Sequence, residues 1–166
     1  MTTWFGSLGA PVAAAERDQV KAYLDGLGIH DELPVQDVSG WDEAREVVTH
    51  SGWDRRWWDA EQLEKRRLQA KASALRGEAE VLALSSRAFL TGDSLRHAAA
   101  EAAARYGCDD AGMVGCAAGA ASEALHLAEL AELAGEATTH PFRAKQSLFA
   151  AGRWPLGIVS GSYRLF

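Results

Sequence analysis

Residues 109–135 constrain the fold more than any other part of the chain: an Ala/Gly-rich stretch with five carboxylates up to Glu132, one histidine and no positive charge. At about 100° per residue in a helix, Gly112, Gly115 and Gly119 fall on one side together with Ser122, His126, Leu130 and Leu133. Glycine gives way to histidine and then leucine along a single stripe. Such a stripe is either a close helix contact or the wall of a cavity. In both cases the helix needs neighbours, and the rest of the chain must supply them.

Capping residues or prolines precede many of the other periodic segments, and glycines follow them. The pattern predicts a first helix over 11–27 and a second that Ser39 caps and Ser51-Gly52 stops. A third covers 53–76 and a fourth 78–90. Asp93 caps a fifth ending at Tyr106-Gly107, and Asp109 or Asp110 caps the long sixth. Thr139 or His140 precedes Pro141 at the start of a seventh that stops at Gly152. In the fourth helix Val81, Leu82, Leu84, Ala88 and Phe89 are spread around the circumference, which puts it at the expected centre of the fold. Segments 154–159 and 162–166 flank Ser160-Gly161 and read as a β-hairpin. A lone hairpin is only marginally stable, so it should pack on the helices or recruit 33–38 as a third strand. The expected fold is mainly α: a single-domain helical bundle of about seven helices with a C-terminal β-hairpin or small three-stranded sheet.

A length of 166 residues and 48% apolar content suit one domain with a full core. The net charge of −6 argues against a partner in duplex nucleic acid, because phosphate binding leaves a basic footprint. Charge is segregated, with 53–76 carrying a net +3 and 108–136 a net −6, so acidic and basic helices can complement each other. The longest largely apolar run, 111–121, is too short to span a bilayer. Met1-Thr2-Thr3-Trp4-Phe5 lacks the basic start and apolar core of a signal peptide, which makes the cytoplasm the expected location. Cys108 and Cys116 form no CxxC and read as free thiols. Motifs for nucleotide-binding loops, zinc proteases and serine hydrolases are missing. Neither a cofactor nor a metal is expected.

Three features carry the candidate chemistry. Glu64, Arg67 and Lys71 lie within the apolar arc assigned to the third helix from Leu63, Ala70, Ala74, Leu68 and Trp57. Charges on a buried face must be paired or must line a wet pocket. They are either an internal ion-pair network that also meets the acidic sixth helix, or an anion-binding set in which arginine supplies a planar fork and lysine a point charge. Glu123-x-x-His126 has the spacing of half a carboxylate-bridged di-metal site, but no second such motif occurs. His126 then reads as a hydrogen-bonded core residue or as an acid, base or ligand group in a pocket. Trp58 projects away from Trp53 and Trp57, beside Gln62 and Lys65, and is the candidate partner contact. The stretch from His140-Pro141-Phe142-Arg143 to Trp154-Pro155-Leu156-Gly157 has the density of a signature without an assignable activity.

Two functional readings follow. In the first the chain is a non-enzymatic helical interaction module that binds a protein partner or forms a homodimer. In the second it binds an anionic small molecule, with or without turnover, in a pocket between the helices at 53–76 and 110–134. Glu64, Arg67, Lys71, Glu123 and His126 are then its candidate ligand-binding residues.

Overall fold

In a computed structural model describing residues 4–166, the chain runs through α1 (Ala14–Gly26), β1 (Val35–Asp37), α2 (Trp41–Thr49) and α3 (Arg55–Arg76). It continues through α4 (Glu78–Arg105), α5 (Ala111–Leu133), α6 (Pro141–Ala150), β2 (Pro155–Val159) and β3 (Ser162–Leu165). The fold is mainly α with a small C-terminal sheet. Of the N-terminal stretch read against a signal peptide, Met1, Thr2 and Thr3 lie outside the described residues. Among the described residues no helix is long and apolar enough to cross a membrane.

Local chemistry sets most boundaries. The Asp54 carboxylate accepts from the backbone N–H of Arg56 and Trp57, and that of Asp110 accepts from Gly112 and Met113, satisfying orphan donors at the starts of α3 and α5. His140 caps α6 through Nδ1, which accepts from the Phe142 N–H, and Pro141 takes the first helical position. At the hairpin, Ser160 and Gly161 both have positive φ, 51° and 77°, the requirement of a type I′ turn. The 33–38 segment contributes the third strand: β3 is central, parallel to β1 and antiparallel to β2. Ser39 does not cap α2; Gly40 takes that position, and the Ser39 backbone N–H and hydroxyl donate to the Glu43 carboxylate instead.

The expected fourth and fifth helices are one, which reduces the described helices to six. Gly92 and Asp93 do not interrupt α4, because long-range packing of Val81, Leu84, Leu95 and Ala99 outweighs the roughly 1 kcal/mol that a mid-helix glycine costs. The Thr91 and Ser94 hydroxyls donate back to the carbonyls of Arg87 and Thr91 rather than capping a new start. Nor is the first half of α4 central, since Leu82 and Phe89 face outward. The stripe on α5 divides: a Cβ built on Gly115 or Gly119 meets nothing within 4 Å among the described residues, so its glycines make no close contact, whereas Ser122 donates to the Ala88 carbonyl of α4 and Leu130 is buried in the core. The first part of the helix packs through Met113, Ala117, Ala121 and Ala124, and the last part through Leu127, Leu130 and Ala131.

The centre of the molecule is the C-terminal segment. Every residue of β2 is buried, and Leu148, Phe149, Trp154, Ile158 and Tyr163 belong to two apolar clusters that flank it. A Cβ on Gly26 would sit 2.9 Å from the Pro141 ring, so α1 crosses α6 closely. Arg153, fully buried, donates from Nη1 to the carbonyls of Ser7 and Ala10 at 2.6 and 2.7 Å and holds the N-terminal segment against the core. A continuous α4 makes one simple prediction. Gly92 has neither a positive φ nor a neighbour that a methyl group would meet. Gly92→Ala should therefore raise unfolding stability in urea by about 0.5–1 kcal/mol, whereas a loss of stability would place a break there.

Candidate functional site

Burying a carboxylate among apolar helices is costly unless positive charge and hydrogen bonds surround it. Glu61, 2% exposed in the middle of α3, receives both. The Lys145 ammonium of α6 lies 2.9 Å from each of its oxygens, and that of Lys65, one turn along α3, lies 3.2 Å from one. Tyr23 of α1 donates its hydroxyl to Glu61 and accepts a 2.8 Å bond from the Trp57 indole N–H. Burial pushes the Glu61 carboxyl up, but Lys145 and then Lys65 outweigh it and hold it below the ordinary carboxylate value. The Tyr23 hydroxyl is pushed well above the ordinary phenol value, first by burial and then by the Glu61 charge. It therefore stays a donor.

This network floors a cleft of about 300 Å³ between α3, α5, α6 and β2. Trp53 and Trp57 stack with centroids 5.6 Å apart, and Trp58 meets Trp57 edge-on at 6.2 Å. Trp154, Pro155 and Leu156, all buried, also line it. Gly157 permits the arrangement: its φ is +117°, and a Cβ there would overlap the Trp57 ring and lie 2.9 Å from that of Trp53. Trp58, 52% exposed, and Glu123 stand at the mouth. The Lys65 ammonium links floor to mouth, donating to Glu123 at 2.8 Å and sitting 6.0 Å from the Trp58 ring centroid.

The sequence-derived site residues divide into separate places. Trp58 and Glu123 belong to the cleft. Glu64, Arg67 and Lys71 do not; they form an ion-pair chain along the adjoining surface. Arg67 grips both Glu64 oxygens at 2.6 and 2.8 Å and reaches Glu136 at 2.8 Å, Lys71 meets Glu136 at 2.9 Å, and His140 Nε2 meets Glu64 at 2.9 Å. Hydrogen bonds to Glu64 and Glu136 push Arg67 above its ordinary value. Each charge is matched, and Arg67 and Lys71 remain close to half exposed, so the internal network expected for this face lies at the surface.

His126 is half buried, with a buried Nδ1 that has no hydrogen-bond partner among the described residues, and burial lowers its pKa against the raising effect of Glu129 and Glu123. It does not line the cleft, and Glu123 reaches toward α3. Among the described residues no group of three or more His, Cys, Asp or Glu side chains could hold a metal ion.

Sequence reasoning missed Glu61, Lys65 and Lys145 as one cluster. The buried seam of α3 is Trp57, Glu61, Leu68 and Ala72, rotated roughly a quarter turn from the assigned arc, while Leu63 and Leu75 are exposed. The detectable signal was a glutamate at a heptad-like position between apolar residues; that Lys145 answers it is a tertiary fact.

A second surface stands apart from the cleft. On the outer side of α4, Leu82, Phe89 and Leu90 are 68%, 83% and 76% exposed. From 81 to 92 the helix carries a single charge, Arg87. Leu82 and Phe89, seven residues apart, share a face with Ser85 and Ser86 between them. No protein family, curated protein or solved structure matches the chain.

The two charge clusters should respond differently to mutation. Lys145→Met leaves Glu61 with one cation in a buried site and is predicted to cost about 3–5 kcal/mol in urea unfolding. Arg67→Ala, at the surface, should cost less than about 1 kcal/mol. Equal effects would contradict the assignment of Glu61 as the buried centre.

Proposed function

We propose that this chain is a non-enzymatic helical interaction module that self-associates through the outer face of α4. The observation that carries this reading is the exposure of Leu82, Phe89 and Leu90 on one nearly uncharged helix segment. Apolar surface of this concentration is unusual for a monomer and gains free energy when covered. A second copy suits the face because the pattern is its own complement. If two α4 helices cross antiparallel at Ser85 and Ser86, Leu82 of each copy falls opposite Phe89 of the other, and the small serines let the backbones approach. Glu78 and Asp93 bound the stripe at either end, where the helices diverge into solvent. We read the setting as cytoplasmic, to which the free thiols of Cys108 and Cys116 are suited.

Sedimentation velocity tests this directly. The protein is expected to sediment as a dimer at micromolar concentration, and Phe89→Glu or Leu82→Glu to convert it to a folded monomer, because both side chains are exposed in the single copy. Since the contact is apolar and its ends are acidic, added salt should tighten the dimer. A monomer at all concentrations, or a dimer unaffected by both substitutions, would overturn the proposal.

A further inference from the structure

The aromatic cleft contains one mostly buried cation, Lys65, whose outer partner is half exposed. Inside it, the single negative charge of Glu61 faces two lysines, Lys145 and Lys65. Lys145 makes two short contacts to Glu61 and has a nine-tenths buried side chain, so that pair is fixed. Lys65 stands farther from Glu61 and satisfies its remaining charge with Glu123, whose side chain is half exposed on α5. Leaving Lys65 costs the Glu123 carboxylate little, because a half-exposed carboxylate turns back into water. The lysine, mostly buried, then needs another anion.

We propose that this cleft binds a small aromatic carboxylate, whose acid group replaces Glu123 on Lys65 while its ring stacks on the exposed Trp58 and the partly exposed Trp53. Charge selects the acid: one spare positive charge matches a monoanion, and a phosphate dianion would leave an unmatched negative charge beside Glu61. It also excludes quaternary ammonium compounds, which aromatic cages otherwise favour, because Lys65 and Lys145 face the same space. The indoles select the body. Trp58 is 52% exposed at the mouth and Trp53 partly exposed, with the covered Trp57 packed against both, and the volume of about 300 Å³ is at the small end for ligand pockets. The exchange is charge-neutral: one carboxylate leaves the lysine and one arrives.

The test is calorimetric titration of the full chain, in parallel with tryptophan fluorescence, using indole-3-acetate, its neutral analogue indole-3-acetamide, and choline. Indole-3-acetate should saturate and change the fluorescence, with the amide at least about tenfold weaker. Lys65→Met should bring acid and amide to equal affinity. Glu123→Gln, at the exposed mouth where folding is not at stake, should tighten indole-3-acetate several-fold by removing the internal competitor, a result that a merely structural salt bridge would not give. Absence of saturable acid binding, equal binding of acid and amide to the unsubstituted protein, stronger binding of choline, or a Glu123→Gln variant with unchanged or weaker affinity would overturn the proposal.

Discussion

Four elements converge on one buried carboxylate. Glu61 sits on the seam of α3, where an apolar residue would pack at no electrostatic cost, and the surrounding chain is arranged to compensate it. Lys145 brings α6 to it, Tyr23 brings α1, and Lys65 extends the network to Glu123 on α5. Tyr23 passes the constraint on to Trp57 through the indole N–H, and Trp57 in turn stacks on Trp53. The aromatic wall of the cleft is thus oriented by the same hydrogen bonds that satisfy the buried charge. A network of this kind adds little net stability, but removing one member leaves the others unpaired, which makes the arrangement specific.

The C-terminal stretch with the density of a signature owes that density to packing. His140 caps α6 and meets Glu64, Pro141 fits against Gly26, Lys145 answers Glu61, Arg153 holds the N-terminal carbonyls, and Gly157 makes room for two indoles. Five residues of unrelated chemistry therefore each meet a separate tertiary demand within eighteen positions of sequence. Burial on both sides of β2 follows from the same placement, with one apolar cluster toward α2 and the other toward α1 and α3, while α4, α5 and α6 contribute to both.

What the sequence revealed and what it hid divide by range. Asp110 and His140 act through hydrogen bonds spanning two or three residues, and Ser160-Gly161 acts through its own backbone, so these starts and this turn were legible, whereas the reading of α3 from 53 passed over the cap that Asp54 provides. The third strand was legible because a bare hairpin needs a neighbour. Gly92-Asp93 misled because the same residues end a helix locally and are tolerated within one when the partner helix is long. On α3, Leu63, Ala70 and Ala74 drew the apolar arc toward a face that nothing covers, and the buried seam ran through a glutamate instead. Trp58 was correctly set beside Lys65 and Gln62, since that relation lies within one helix. Arg67 pairs with Glu64 one turn away, as the helix period allows; the meeting of Arg67 and Lys71 with Glu136 and of Glu64 with His140, across some seventy residues of sequence, was beyond any period.

An ionised Glu61 inside the fold is the claim on which this account stands. It is tested most directly by following the side-chain carboxyl carbon of Glu61 by NMR through an acid titration of the folded protein. The clamp of Lys145 and Lys65 predicts that the resonance still reports mostly carboxylate at pH 4.5, where an ordinary glutamate is half protonated. A midpoint at or above that value would mean that burial outweighs the lysines, and that the network is not held together by charge.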